Sequence, residues 1–310
     1  MKKSGAIIGL VIFCLVGLAF WFFAFSNKGN GRVLGTSINS FYAGKVLDVS
    51  SPPVKKSGAT EPKINSESAI LIHESTKYPL YAKKSDFQVP IASLTKVMTA
   101  IVALEIYKLD DVLEVKKESV EVTPSIMGLE VGEKITVENL LYGLLMNSGN
   151  DAALALSSGK TTKDEFISKM NKKSKELGLL NTEFKDPAGL DDQGRSTAID
   201  VAVLFSYALK KTEFQKIIQT GETEVKSVDQ KTVHPLKNSN RLTTGEIPLD
   251  GIVGGKTGYT PDAGHTLVCA ATRNGHTLIS VILKTYSNAP SATAEETRSL
   301  LTWGFESYDF

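Results

Sequence analysis

The stretch that decides the fold runs Val89-Pro90-Ile91-Ala92-Ser93-Leu94-Thr95-Lys96-Val97-Met98-Thr99-Ala100. Its second half and the residues that follow are apolar on nearly every helical face, which is typical of a helix buried in the middle of a domain. Pro90 stands just ahead of this run, a common position for proline beside a helix start. The stretch therefore predicts a central, buried helix that begins near Ser93.

A serine and a lysine lie three residues apart in this stretch. Residues i and i+3 share one face of a helix, so the Ser93 hydroxyl and the Lys96 amine are expected to reach hydrogen-bond distance. Burial disfavours a charged lysine and lowers its pKa, which turns Lys96 into a base beside a nucleophile. Taken alone, the pair fits equally well a helix start with a surface lysine, so support from the rest of the chain is needed.

Composition bounds the classes of protein that are possible. The 310 residues are 42% apolar and 22% charged, an ordinary globular composition long enough for one large or two smaller domains. A net charge of +1 argues against a nucleic-acid partner held through its phosphates. Cys14 and Cys269 are not expected to pair. No metal or other cofactor is predicted, because metal-ligand spacing is lacking among His73, His234, His265 and His276.

The N-terminus has the features of a membrane anchor. An unbroken apolar run from Ala6 to Phe25 has about the ~20 residues that a helix needs to cross the bilayer. Lys2 and Lys3 place the N-terminus in the cytoplasm and the rest of the chain on the extracytoplasmic side of the cell membrane. The aromatic end of the run favours a retained single-pass anchor over residues 1–25. The alternative is a cleaved signal peptide, with its cut near Ser26.

The rest of the chain divides into a linker and one domain. Residues 26–62 are rich in Gly, Ser, Asn, Lys and Pro and are predicted to be a tether for a domain over residues 63–310. In that domain strands come first and last, and helices fill the middle. This order predicts an α+β fold, with an antiparallel sheet built from both chain ends and a helical insertion between them. The predicted strands cover residues 69–73, 79–82, 222–228, 252–258, 265–272 and 277–283. Two helices are predicted to begin at residues 93 and 151, and four more to cover residues 137–146, 163–177, 197–211 and 294–308.

Two further motifs contain side chains that could take part in catalysis, one in a loop and one in a strand. Ser148-Gly149-Asn150 forms a tight loop between two apolar helices, where a simple pair of helix caps is the alternative explanation. Lys256-Thr257-Gly258 lies in a predicted strand, where a lysine that protects a sheet edge is the alternative. The three motifs together, in this order and each on its proper element, leave little room for coincidence.

Ser-x-x-Lys, a Ser-x-Asn loop and Lys-Thr-Gly form the set shared by penicillin-binding proteins and class A β-lactamases. The chain therefore resembles the penicillin-recognising serine enzymes, and most of all the low-molecular-mass D-alanyl-D-alanine carboxypeptidases. The resemblance covers roughly Ile64 to Phe310 and implies the β-lactamase/DD-peptidase fold, with an all-helical subdomain inserted into the sheet domain. It extends to Leu180-Asn181-Thr182-Glu183-Phe184, Gly189-Leu190-Asp191, Ser196-Thr197-Ala198-Ile199-Asp200, Lys237-Asn238-Ser239-Asn240 and Leu301-Thr302-Trp303-Gly304-Phe305.

The resemblance also implies an activity and a set of roles. The activity is removal of the terminal D-alanine from peptidoglycan stem peptides through an acyl-enzyme, and β-lactam antibiotics would acylate the same serine. Ser93 would be the nucleophile, Lys96 its base and Ser148 a proton relay, while the backbone N–H groups of Ser93 and Tyr259 would form the oxyanion hole. The implied substrate-binding residues are Asn150, Lys256, Thr257, Gly258 and Tyr259.

Three alternatives remain open at the level of sequence. A β-lactamase needs a glutamate in a Glu-x-x-Leu-Asn segment; Glu176 approaches this pattern, but Leu180 stands where the asparagine belongs. An endopeptidase that cleaves peptidoglycan crosslinks is hardly separated from a carboxypeptidase by sequence. An inactive protein that only binds peptidoglycan conflicts with the intact motifs. One departure from the family is that no arginine lies between Arg273 and Arg298, where many relatives have one for the substrate carboxylate.

Overall fold

The computed structural model describes residues 52–123, 125–287, 289 and 291–310. The predicted anchor, residues 1–25, and most of the predicted linker lie outside the described residues. Within the described ranges, none of the helices combines the length and apolar character that crossing a membrane requires. The end of the predicted linker is ordered, because strand β1 (Val54–Lys55) pairs antiparallel with β13 (Tyr308–Asp309) close to the other end of the chain.

The main sheet has five antiparallel strands, which lie in the order Ile252–Thr260 (β10), Gly264–Arg273 (β11), His276–Thr285 (β12), Ser68–His73 (β2) and Pro79–Lys83 (β3). Strands from both ends of the domain therefore share one sheet, which confirms the predicted α+β architecture. The shorter strands form two-stranded ribbons around it. Those strands of the described chain are β4 Val89–Pro90, β5 Val112–Glu114, β6 Lys134–Thr136, β7 Arg195–Ser196, β8 Glu222–Lys226 and β9 Val233–Lys237, together with β1 and β13.

Eight helices occur in the described chain, most of them between β3 and β8. Sequence cues set several of their starts: the hydroxyl of Thr136 accepts from the N–H of Asn139, and Thr162 forms a capping box with Glu165. The helices are α1 Thr95–Ile106, α2 Lys117–Val120, α3 Val137–Leu145, α4 Asn150–Ser158, α5 Lys163–Glu176, α6 Ala198–Ala208, α7 Thr212–Gln219 and α8 Ala292–Ser307.

The sheet separates two apolar cores. Because side chains alternate along a strand, Ile70 and Ile72 of β2 enter the core shared with the helical region, whereas Ala69 and Leu71 enter the core under α8. Every residue of β2 is buried. Helix α1 lies in the first core, in contact with α3, α4, α5 and α6. This placement explains its apolar character on nearly every face.

Several short elements were not predicted from the sequence, and three differences bear on the interpretation of the fold. Ser93 does not begin the α-helix: it lies in a 3-10 turn over Ala92–Leu94, and the helix begins at Thr95. Helix α7 was missed because it has only eight residues and its N-cap makes no side-chain hydrogen bond. Strand β9 was missed because it contains Pro235, which argues against a strand but is tolerated in a two-stranded ribbon.

Candidate active site

The Ser93 hydroxyl and the Lys96 amine meet at the start of the central helix. Lys96 Nζ lies 2.9 Å from Ser93 Oγ, as the three-residue spacing predicts. It also donates to Asn150 Oδ1 at 2.8 Å and to the carbonyl oxygen of Ala188 at 2.7 Å. An uncharged amine has two N–H donors and one lone pair. The two oxygen acceptors take the donors, so the lone pair is left for the proton of Ser93.

Burial sets the protonation of Lys96. The side chain is fully buried, and this desolvation lowers the pKa of Lys96 from its ordinary value to about 7. The negative charges of Asp186 and Asp151 act in the opposite direction and raise it. The balance leaves a substantial fraction of uncharged amine near neutral pH. Lys96 is therefore suited to accept a proton from a neighbouring hydroxyl.

The Ser148-Gly149-Asn150 loop joins α3 to α4 in a tight, well-fixed conformation. Ser148 has a φ of +58°, unusual for a residue with a side chain and a mark of local strain. Gly149 is required, because a Cβ there would lie 2.8 Å from Asp151 Oδ1. Asn150 is held by two carbonyl groups: its side-chain amide donates to Thr123 at 2.7 Å, and its backbone N–H donates to Ser125 at 2.8 Å. Asn150 thus presents its Oδ1 atom to Lys96 in a fixed direction.

Lys256 approaches the same cleft from the sheet. Its fully buried amine donates to Ser148 Oγ at 2.9 Å and to the carbonyl of Thr257 at 2.8 Å. Burial, with the neighbouring charge of Lys96 as a second cause, lowers the pKa of Lys256 well below its ordinary value. Strand β10, which carries Lys256, is an edge strand, so one side of it is open to a ligand.

The remaining predicted residues follow Lys256 along β10. Thr257 Oγ1 lies 2.6 Å from Ser239 Oγ. Gly258 passes so close to the Ser93 turn that a Cβ would lie 2.9 Å from the backbone nitrogen of Ser93. The side chain of Tyr259 is 59% exposed and lies against His265, with 4.5 Å between ring centroids. The structure therefore brings all eight predicted site residues to one cleft.

One supporting segment had no sequence-based role. The loop after Asp186 presents the carbonyl of Ala188 to Lys96, and the Asp186 carboxylate accepts from the N–H groups of Ala188, Gly189 and Asp191 at 2.6 to 2.8 Å. Gly189 has a φ of +78°, and a Cβ on it would overlap the carbonyl group of Ala92. The sequence carried one signal for this loop, the glycine of Gly189-Leu190-Asp191.

Other groups weighed from sequence lie elsewhere. Glu176 is at the end of α5, where it pairs with Lys173 at 2.7 Å, as befits a surface helix. Arg273 donates to the carbonyl of Asp250, and Arg298 pairs with Glu295 at 2.6 Å. In the described ranges, no group of three or more His, Cys, Asp or Glu side chains is arranged to hold a metal ion.

The chain is similar to several known proteins. The family model described as D-alanyl-D-alanine carboxypeptidase matches residues 55–287. The D-alanyl-D-alanine carboxypeptidase DacF of Bacillus subtilis (strain 168) is 34% identical over 252 residues, which cover 78% of this chain and 63% of that protein. The chain thus spans less than two-thirds of that relative's length.

Two further proteins bear on the type of reaction. A D-alanyl-D-alanine endopeptidase of Pseudomonas aeruginosa is 33% identical over 247 residues, which cover 76% of each chain. The crystal structure of the Streptomyces K15 DD-transpeptidase superposes with a TM-score of 0.72 at 34% identity, and the match covers 80% of this chain and 99% of that one. At this level of identity, the likeness extends beyond the fold alone.

Proposed function

This chain belongs to the D-alanyl-D-alanine carboxypeptidase family, and we propose that it is a serine-type carboxypeptidase that removes the terminal D-alanine from peptidoglycan stem peptides. One observation carries this proposal. The amine of Lys96 has oxygen acceptors for two N–H groups and lies 2.9 Å from Ser93 Oγ, which is the arrangement a neutral base needs beside its nucleophile.

The first step acylates Ser93. Lys96 accepts the hydroxyl proton while Ser93 Oγ attacks the carbonyl carbon of the bond between the two D-alanines. The negative charge that develops on the carbonyl oxygen goes to the backbone N–H groups of Ser93 and Tyr259. The close approach of Gly258 to the nitrogen of Ser93 supports this assignment, because it brings the two backbone segments together.

The second group of residues serves the departing amine. The Ser148 hydroxyl gives its proton to the D-alanine nitrogen as the C–N bond breaks, and Ser148 regains a proton from Lys256, 2.9 Å away. Free D-alanine leaves, and the acyl group stays on Ser93 as an ester. The proton held by Lys96 passes to Lys256, which restores the charge that Lys256 gave up. Water then attacks the ester carbonyl while Lys96 accepts one of its protons, and Lys96 returns that proton to Ser93 Oγ as the ester C–O bond breaks and the shortened peptide leaves with a new carboxyl group.

Lys256 is also suited to bind the substrate's terminal carboxylate. Its buried amine donates to a hydroxyl and a carbonyl, and in the described part of the chain no carboxylate contributes to the shift of its pKa. An anionic substrate would supply the missing opposite charge and raise the pKa of Lys256. The peptide would lie along the open edge of β10.

Covalent labelling tests the proposal. A fluorescent penicillin should acylate the wild-type protein, because a strained β-lactam amide presents the same carbonyl to Ser93, and Ser93→Ala should abolish the label. Retained labelling in that variant would refute the assignment of Ser93 as the nucleophile.

On a muropeptide that ends in D-Ala-D-Ala, free D-alanine is the expected product. A split crosslink would favour endopeptidase activity, for which the Pseudomonas relative is an argument, and rapid penicillin turnover would favour a β-lactamase.

We also propose that residues 1–25 anchor the enzyme in the cell membrane and that residues 26–62 act as its tether. The apolar run to Phe25 and the two lysines before it support a single-pass helix with the catalytic domain on the extracytoplasmic side, where peptidoglycan lies. N-terminal sequencing of the mature protein in membrane fractions tests this. A mature chain that begins near Asn27 would indicate a cleaved signal peptide instead.

A further inference from the structure

The main sheet brings two histidines together, although they lie 203 positions apart in the chain. His73 is the last residue of β2, and His276 is the first residue of β12. His73 Nε2 lies 3.4 Å from His276 Nδ1, and the ring centroids are 5.5 Å apart. The pair has no part in the catalytic steps described above.

The distance between these two nitrogens suits a tetrahedral metal ion. Two imidazole ligands of a tetrahedral Zn²⁺ ion, with bonds of roughly 2.0–2.1 Å, place their nitrogens about 3.3–3.4 Å apart. Neighbouring ligands at the right angles of tetragonal Cu²⁺ or Ni²⁺ would be only about 2.9 Å apart. The observed separation of 3.4 Å therefore matches one edge of a zinc tetrahedron. Water would fill the two remaining positions.

Both histidines are held in place by the sheet and by a hydroxyl group. The backbone N–H of Glu74, which follows His73, donates to the carbonyl of Thr277, which follows His276, at 2.8 Å. His73 Nδ1 lies 3.0 Å from Thr76 Oγ1. When Nε2 binds a metal, Nδ1 carries the proton of the ring, and the hydroxyl oxygen accepts a hydrogen bond from it. This contact fixes the orientation that directs Nε2 toward His276.

The surroundings of the pair are compatible with a bound cation. The ring of Phe310 covers both imidazoles, with its centroid 5.1 Å from that of His73 and 4.9 Å from that of His276. Lys77, in the turn after β2, forms an ion pair with Glu74 at 2.9 Å, which largely offsets its charge. His73 is buried and His276 is half-buried, so an ion can approach from the side of His276.

We propose that His73 and His276 together bind one Zn²⁺ ion, which joins β2 to the β11–β12 hairpin. In the free protein, one of the two facing nitrogens donates its proton to the other. When zinc binds, that proton moves to the other nitrogen of its own ring, so both rings stay neutral and each supplies a lone pair. The ion would stabilise the folded protein, because the unfolded chain does not hold the two ligands together.

This inference is independent of the proposed function. The histidine pair lies beside the turn between β11 and β12, where His276 pairs with Arg273. Lys256 pairs with Val268, in the middle of β11. A failure of the zinc site would therefore leave the assignment of the catalytic residues as it is, and a lack of D-alanine release would not affect the zinc site.

Zinc titration of the full-length protein in detergent tests the site. After treatment with EDTA and its removal, calorimetry should show one Zn²⁺ bound per chain, and the melting temperature should rise with Zn²⁺ concentration. His276→Gln is the informative variant, because its amide can still hydrogen-bond to His73 but is a poor zinc ligand. Its Zn²⁺ affinity should fall more than about 100-fold, since even removing the hydrogen-bond partner of a metal-bound imidazole costs 10- to 100-fold.

His265→Ala is the matched control. It removes a half-buried histidine that stacks against Tyr259 on another part of the sheet, and it should bind one Zn²⁺ with wild-type affinity. An absence of zinc binding by the wild type, or equal affinity in the wild type and His276→Gln, would overturn the site. A loss in His265→Ala as large as that in His276→Gln would also overturn it, because zinc would then bind elsewhere.

A second variant keeps the test decisive if His276→Gln does not fold, which its melting curve without metal shows. Thr76→Val removes only the hydroxyl beside His73 Nδ1 and leaves both proposed ligands in place. Its Zn²⁺ affinity should fall about ten-fold or more. Unchanged affinity in this variant would contradict the proposed binding through His73 Nε2.

Discussion

Lys256 Nζ lies 2.9 Å from Ser148 Oγ, although the two residues are 108 positions apart in the chain. The contact joins the edge of the sheet to the loop between α3 and α4, and both partners are buried. The amine of Lys96 has its own set of partners, Ser93 Oγ at 2.9 Å and Asn150 Oδ1 at 2.8 Å. In the proposed mechanism, one amine therefore serves the nucleophile and the other serves the hydroxyl that gives its proton to the leaving group.

This division of labour predicts the effect of Ser148→Ala. Removing the hydroxyl should slow acylation by a peptide about 10²-fold or more, the usual contribution of a positioned proton donor, while KM changes little. The measurement is single-turnover release of D-alanine. Ser157→Ala, a buried serine on the neighbouring helix α4, is the control and should keep the wild-type rate. An unaltered rate in Ser148→Ala would remove this residue from the proton path.

The pKa of Lys96 predicts how acylation depends on pH. Only the neutral amine accepts the Ser93 proton, and burial lowers the pKa of Lys96 to about 7. As pH falls through about 7, Lys96 gains a proton, so the acylation rate should fall and approach a ten-fold drop for each further unit. The second-order rate of fluorescent penicillin labelling between pH 5 and pH 8 measures this limb. A rate that stays level down to pH 5 would contradict Lys96 as the base.

The charge of Asp186 should affect the pH at which the labelling rate falls. Its negative charge raises the pKa of Lys96, so Asp186→Asn should lower the pKa of Lys96 and shift the acidic limb of the labelling profile to lower pH. Asp191→Asn is the matched control: among the residues that the structure describes, its side chain accepts from the backbone N–H of Gln193 in the same loop and does not act on Lys96. The profile of that control should coincide with the wild type. A shift of the Asp186→Asn limb to higher pH would contradict the assigned sign.

Gly189 should be far less tolerant of a side chain than an ordinary turn glycine. Gly189→Ala forces a left-handed residue and a clash with the carbonyl of Ala92, next to Ser93. We expect a loss of about 2 kcal/mol or more in the free energy of unfolding, together with slower penicillin labelling. Gly245→Ala is the control, because Gly245 has a φ of +79° but open space around it. Its loss should be about 1 kcal/mol, with normal labelling. Urea unfolding of both variants provides the comparison.

Most residues of the candidate site could be predicted from the sequence, because their side-chain types and spacing are distinctive. Lys96 and Lys256 belong to a residue type with few reasons to be buried, and the three-residue spacing from Ser93 to Lys96 is directly visible in the sequence. The order of strands and helices likewise predicted a sheet made from both chain ends. Such features can be recognised in a sequence because burial and periodicity produce patterns among neighbouring residues.

Other contacts of the candidate site could not be predicted, because no local sequence pattern corresponds to them. The third partner of Lys96 is the backbone carbonyl of Ala188, and any residue type supplies a carbonyl. The contact between Ser239 and Thr257 depends on how β9 ends relative to β10, which only the tertiary structure fixes. Strand β9 itself was hidden by Pro235. Local patterns therefore fail where function depends on backbone atoms or on contacts between distant segments.

The place of β2 in the sheet governs the order in which this protein can mature. Ile70 pairs with Val281, so the early strand gains its central neighbour only after nearly the whole chain has been synthesised. Pairings so distant in sequence make folding slow and leave hydrophobic strands exposed meanwhile. A nascent chain that has reached α4 already carries Ser93, Lys96, Ser148 and Asn150 but lacks Lys256. Truncated or unfinished chains should therefore be inactive, and the enzyme should become active only when the last strands of the sheet have paired.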